Sequence, residues 1–216
     1  MILKKAVLFV DANNWYHNVK KWFKPSDLDI TKVAKMICFD NGLELSEVRW
    51  YTSMPSIQDD ELVYKRQRAF LGSLERRGVR VITRKLQRLS NDELRTKRKE
   101  LLDSWDLCNK CRPIVSESFM DISDHHQKEK GIDVWIAIDM VKESLQGNID
   151  CCVLISGDAD FVPALNLVKD VGKEVLVSAV PSGFSNELRQ KFRFLVLGRK
   201  KLSACLRDYS EVSHNG

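Results

Sequence analysis

Four aspartates stand where a chain could hold a metal ion. Asp11 ends the apolar run Ala6 to Val10 in FVDANN, and Asp158 and Asp160 follow the apolar run Cys151 to Ile155 in LISGDADF. Asp133 lies in KGIDVWIAIDM, in the first turn of the helix expected just before that second run. Crowded carboxylates repel one another and raise their own pKa values. A hard divalent cation such as Mg²⁺ or Mn²⁺ removes that conflict, because it prefers carboxylate oxygen. Taken alone, Asp158 reads as the cap of the following helix, with Asp160 in its first turn. Convergence of several carboxylates is what favours metal chemistry. Asp139, six positions after Asp133, lies about 120° further around a helix, so geometry sets it aside as acidic support.

These residues need a scaffold that brings them to one edge. Ala6 to Val10 reads as a strand buried on both faces. Further strands are expected at Glu47 to Tyr51, Val79 to Thr83, Cys151 to Ile155 and Glu174 to Val180. Helices are expected at Ile30 to Phe39, Asp59 to Arg77, Ile132 to Leu145, Asp158 to Val171 and Asn186 to Phe194. The core stripe of the third of these reads as Val134, Ile138, Val141 and Leu145. Such alternation predicts a three-layer α/β/α, Rossmann-like domain with a mostly parallel sheet of about five strands. Sites in these sheets form beyond the carboxyl ends of the strands. If the first and fourth strands are neighbours, Asp11 meets Asp158 and Asp160 there. Gly157 permits a tight exit from the fourth strand. Residues 85–126 read as an irregular insertion before that strand, and residues 199–216 as a basic, then polar, tail.

Charge is unevenly spread along the 216 residues. The net charge is +5, yet Tyr64 to Glu100 holds 13 Lys/Arg against 4 Asp/Glu, and Leu101 to Asp160 holds 12 acidic residues against 5 basic. Lys65, Arg66, Arg68, Arg76 and Arg77 can hold a phosphate backbone, or can simply form the solvated face of a helix. Trp15, Tyr16 and Trp22 can stack on unpaired bases or pack beneath the loop after the first strand. No apolar run reaches the roughly 18 residues of a membrane helix, and MILKKAVLFVD lacks a cleavage site, so the expected compartment is the cytoplasm. In a reducing compartment the six cysteines are expected as thiols or metal ligands. Cys108 and Cys111 form a CxxC that, with His125 and His126, supplies the elements of a structural zinc site, against unligated thiols as the alternative. A redox pair is disfavoured, because the CxxC is not read as opening a helix after a strand. No P-loop, GxSxG or HExxH pattern occurs.

FVDANN, KGIDVWIAIDM and LISGDADFVPAL, in this order and separation, resemble the NYN domain of the PIN-like nuclease superfamily, which includes the LabA-like proteins. GKEVLV and FSNELRQKFRFLVL resemble its C-terminal part, so the likeness spans roughly Ala6 to Leu197 within a domain of residues 1–198. The resemblance implies a Mg²⁺ or Mn²⁺ site and RNA cleavage. Asp11, Asp133, Asp158 and Asp160 match its acidic positions. Asn14 matches the Asn after the first Asp, and Ser156 the Ser of its SGD turn. Asp139 also matches a recurrent acidic position. On this reading Asn14 orients a water or a phosphate, Ser156 fixes a carboxylate, and the basic helix holds RNA. The alternatives are a non-catalytic RNA-binding module of the same fold and a metal-dependent phosphatase. A homodimer is the alternative to a monomer.

Overall fold

The computed structural model describes residues 3–58, 60–85, 87–88, 91–121, 127–128 and 131–207. Its elements in chain order are β1 (Lys4–Asp11), α1 (Ala12–Val19), α2 (Ile30–Asp40), β2 (Leu43–Met54), α3 (Glu61–Glu75), β3 (Arg80–Lys85), β4 (Gln87–Arg88), α4 (Asn91–Ser104), α5 (Cys111–Asp121), β5 (Gln127–Lys128), α6 (Ile132–Leu145), β6 (Cys151–Ile155), α7 (Val162–Asp170), β7 (Glu174–Ala179), α8 (Asn186–Lys191), β8 (Arg193–Val196) and α9 (Arg199–Ser203). The chain forms two compact units, residues 1–84 with 131–216, and residues 85–130.

The larger unit is built on a six-stranded sheet in the order β3-β2-β1-β6-β7-β8. Strand β1 pairs in parallel with β2 on one side and β6 on the other, and β7 and β8 continue the parallel run. Alternation along β1 divides the core. Leu8 and Val10 join Trp15, Val33, Ile37, Trp50 and Leu71 on one face. Val7 and Phe9 join Tyr51, Ile136, Met140, Leu154 and Leu165 on the other. A strand whose two faces are both covered must be apolar throughout, which is why AVLFV is a continuous run. This is the expected three-layer α/β/α arrangement.

Several expectations are refined or corrected. The sheet has six strands where about five were expected, the added one being the short edge strand β8, whose residues are only exposed or half-buried. Helix α1, which follows Asp11 directly, was not anticipated. The start of the expected tail packs on the body: Leu202 and Cys205 are buried, and the Asp29 amide donates to the Cys205 carbonyl. The insertion is not irregular. It carries α4, α5 and the antiparallel pair β4–β5. Cys111 is the first residue of α5, so the CxxC does open a helix, though one that follows α4 and not a strand.

The largest correction concerns α6. Val134, Ile138 and Leu145 are exposed, and the helix buries Ile132, Ile136, Met140 and Ser144 instead. Of the stripe read from sequence only Val141 packs against the core, and its other three residues lie on the opposite side of the helix. The sheet-facing side looks polar because it also carries Asp139 and Glu143. Both are engaged from β2: the Tyr51 hydroxyl donates to Asp139 Oδ2 at 2.8 Å, and Arg49 Nη2 meets Glu143 Oε1 at 2.8 Å. Burial opposes the charge on Arg49, but its bonds to Glu143 and Glu47 outweigh it and raise the pKa.

Candidate metal-binding site

Asp11 is the last residue of β1 and the N-cap of α1, with only 4% of its surface exposed. Its Oδ1 accepts from the Asn14 amide at 3.1 Å, the usual N-cap bond. Its Oδ2 accepts from the Ser156 hydroxyl at 2.9 Å. That bond follows from register. Val10 pairs with Ile155, so the residues just beyond them lie side by side as the two strands end. Ser156 is buried, and its oxygen also accepts from the Asp158 amide at 3.2 Å. Asp158 in turn caps the 3₁₀ turn Ala159–Phe161, accepting from the Asp160 amide at 3.0 Å. One hydroxyl thus joins the carboxylate ending β1 to the aspartate turn ending β6. Asp158 is half-buried and Asp160 exposed.

The turn is held from above as well. Asn14 Oδ1 accepts from the Gly157 amide at 3.1 Å and from Asn18 Nδ2 at 3.2 Å. The Gly157 carbonyl accepts from the Ser185 amide at 2.9 Å, and Ser182 Oγ donates to Asn18 Oδ1 at 3.4 Å. A Cβ on Gly157 would fall 1.5 Å from the Gly183 carbonyl oxygen. The glycine is therefore required by the close approach of the loop after β7. Asn14 is engaged with backbone and with Asn18. Its Oδ1 holds the Ser156–Asp158 turn. Asn18 and Ser182 were missed in the sequence. The only signal was the i, i+4 spacing of two asparagines on one turn of α1.

The remaining acids differ in position. Asp133 is exposed in the first turn of α6, after Gly131. Asp139 is half-buried and is engaged by the Tyr51 hydroxyl, while Tyr51 itself is the β2 register partner of Asp11. Burial and the contact with Asp139 push the Tyr51 pKa well up, so it stays a donor. Among the described residues, no three acidic, histidine or cysteine side chains converge closely enough to enclose a metal ion. The aspartates line an edge; they do not form a closed cage.

Helix α3 runs back along β2, with Gln67 Nε2 donating to the Ser53 carbonyl at 2.7 Å and Phe70 edge-on to Trp50. Its first turns, with Lys65, Arg66 and Arg68, lie toward the carboxyl edge of the sheet. Arg76 and Arg77 lie at its far end. All five are exposed; Lys65 pairs with Glu61 at 2.6 Å and Arg77 with Asp29 at 3.3 Å. Of the aromatics, Trp15 is core, Trp22 packs against the core and Tyr16 is exposed. Cys108 and Cys111 are exposed, and His125 and His126 lie outside the described residues. No helix among the described residues is long and apolar enough to cross a membrane.

A parallel sheet with a buried aspartate at the end of its first strand, tied to an SGD turn at the end of its neighbour, matches a known family. The NYN domain model matches residues 5–198, and the chain belongs to that family, a branch of the PIN-like nuclease superfamily. An uncharacterized protein of Methanocaldococcus jannaschii is 38% identical over 58 residues, a stretch covering 27% of this chain and 24% of that protein. The match thus spans about a quarter of the length of that curated relative. A crystal structure of a protein of unknown function from Vibrio parahaemolyticus superposes with a TM-score of 0.57, covering 90% of this chain and 93% of that one at 19% identity. That likeness carries the fold alone.

Proposed function

We propose that the chain hydrolyses RNA phosphodiester bonds with Mg²⁺ or Mn²⁺ held at the carboxyl edge of β1 and β6. The observation that carries this is the buried Asp11 carboxylate, fixed by Ser156 and continued by Asp158 and Asp160. The donor chemistry fits the ion. All the groups are hard oxygens, and Mg²⁺ commonly takes only one or two direct carboxylates and keeps several waters. An open edge of aspartates suits that habit better than a closed cage would. Asp11, Asp158, Asp160 and Asp133 would hold the ion, directly or through water. When bound, it supplies a Lewis acid for the phosphate and its leaving oxygen, and lowers the pKa of an attacking water.

The chain's own residues do the positioning. Ser156 holds Asp11 in one rotamer. Asn14 and Asn18 hold the turn that carries Asp158. Lys65, Arg66 and Arg68 lie toward the same edge and would bind the phosphate backbone, with Arg76 and Arg77 continuing the basic surface along α3. Tyr16 would stack on an unpaired base.

The test uses the whole chain with single-stranded and structured RNA and DNA, in Mg²⁺, Mn²⁺ or EDTA. RNA-specific cleavage lost in EDTA is expected. Asp11→Asn keeps a good helix cap but removes the charge, so cleavage should fall about 10²-fold or more. Wild-type rates in both Asp11→Asn and Asp158→Asn proteins would falsify the proposal. Tight RNA binding without cleavage would favour a non-catalytic module, and phosphate release from small esters alone a phosphatase.

A further inference from the structure

We propose that Cys108 and Cys111 are a reversible dithiol–disulfide switch in the insertion, with Cys108 the attacking thiol and a small-molecule disulfide its oxidant. The geometry of the insertion carries this. Both thiols are exposed, and two residues separate them in sequence. The turn between them closes through the Cys111 and Arg112 amides, which donate to the Cys108 carbonyl at 3.0 and 2.9 Å, and it opens directly into the 11-residue helix α5. Two thiols separated by two residues at a helix start suit a disulfide and favour the thiolate of the first cysteine.

The two sulfurs are not equivalent. The neighbouring Cys111 thiol, and then the nearby backbone amides, lower the Cys108 pKa, while the Cys108 thiol raises that of Cys111. The other four cysteines are buried, and burial pushes the Cys38 thiol up to about 11 and Cys151 to about 12. Cys152 and Cys205 are raised by burial too. Reaction should therefore be confined to the insertion.

The steps balance as ordinary thiol–disulfide exchange. The Cys108 sulfur bonds to one sulfur of the small disulfide, whose S–S bond breaks. The departing thiolate takes up the proton that Cys108 has shed. Cys111 then bonds to the Cys108 sulfur, and the second small thiolate leaves with the Cys111 proton. Two protein thiols are oxidised to one disulfide, and one small disulfide is reduced to two thiols. Excess small thiol reverses the sequence.

The experiment uses reduced full-length protein with its Cys108→Ser and Cys111→Ser variants, exposed to oxidised glutathione and mapped by peptide mass spectrometry. Wild type should lose two hydrogens in a single Cys108–Cys111 cross-linked peptide, restored by dithiothreitol. Cys111→Ser should accumulate a mixed disulfide on Cys108. At pH 7, Cys108→Ser should react with an aromatic disulfide reagent at least about threefold more slowly than Cys111→Ser. Equal rates in the two variants, or glutathione on the buried cysteines first, overturn the proposal. So does stoichiometric zinc in the purified protein that shields both thiols until it is chelated.

Discussion

Replacing Ser156 by alanine tests the centre of the site more sharply than replacing an aspartate, because it leaves every charge in place. The hydroxyl is 1% exposed and makes two bonds, donating to Asp11 Oδ2 at 2.9 Å and accepting from the Asp158 amide at 3.2 Å. A hydrogen bond to a charged group contributes about 1.5–3 kcal/mol, and an ordinary one about 1 kcal/mol. Water can reach the half-buried Asp158 and replace part of the second bond. The sum is a destabilisation of about 2–4 kcal/mol, or a Tm lower by roughly 5–10 °C for a chain of this length. Ser178 supplies an internal control. It is the register partner of Ile155 on β7, is 0% exposed, and its hydroxyl has no hydrogen-bond partner. Ser178→Ala removes a buried polar group that nothing satisfies, so it should be neutral or stabilising by about 1 kcal/mol. Thermal and urea denaturation of both variants, with RNA cleavage in Mg²⁺ measured below either transition, reads the difference. Ser156→Ala should also lose about tenfold or more of its cleavage rate, because Asp11 is no longer held in one rotamer; Ser178→Ala should not. If the two variants unfold alike, or if Ser156→Ala stays within about 0.5 kcal/mol of wild type, then the hydroxyl does not bind the two halves of the site.

Three further outcomes are expected. Gly157→Ala forces the Gly183 carbonyl, 1.5 Å from the new Cβ, to move; it should cost about 3 kcal/mol or more, and a wild-type Tm would show that the loop after β7 does not lie on the glycine. Arg49→Met strips the charge partner from Glu143 and Glu47, so chemical denaturation should show a loss of about 3–5 kcal/mol, whereas a change below about 1 kcal/mol would mean that solvent already screens the pair. Asp29 caps α2; burial opposes its charge, but bonds from Thr31 and the Arg77 guanidinium leave its pKa below 3.8. Its folded pKa is depressed, so its contribution is present above the unfolded value and is lost as the pH falls through the folded one. Wild type should lose more stability than Asp29→Asn between about pH 4 and pH 2, and parallel curves for the two proteins would remove Asp29 from that acid transition.

The parts of the fold legible in the sequence are those where one signal had no competitor. AVLFV and CCVLI are covered on both faces, so unbroken apolarity marks them, and parallel pairing of the two follows from the alternation of strands and helices. Strand β8 gave no such mark, since an edge strand with Arg193 exposed has no continuous apolar face. The insertion was read as irregular because charge dominates it: α4 is NDELRTKRKELLDS, in which only Leu102 is buried among the residues whose side chains are described. The tail misled in the same way, since RKK hides the Leu202 and Cys205 that pack beneath it. In each case a small number of buried side chains decided the structure and a larger number of exposed charges decided the composition.

The acidic residues of KGIDVWIAIDM show how far a helical period can carry an argument about a site. The 120° between Asp133 and Asp139 is sound, and it does separate them. The period cannot say which of the two faces the sheet. That choice falls to β2, where Tyr51 and Arg49 each present a donor to an acid one turn apart on α6, and so fix both the rotation of the helix and its height along the strand. Asp139 is thereby placed level with Tyr51, the neighbour of Asp11, but with an oxygen already engaged by a phenol that will not ionise near neutral pH. Asp133 is exposed in the first turn of the same helix. An acid that orients a helix and an acid that the proposed function sets before an ion can therefore share one short motif. Tyr51→Phe separates the two roles, because it frees Asp139 without altering Asp133. If the helix rotation is what Asp139 supplies, that variant should unfold about 1–2 kcal/mol earlier with its Mg²⁺ dependence of cleavage intact. A shifted Mg²⁺ requirement at unchanged stability would instead place Asp139 among the groups that hold the ion.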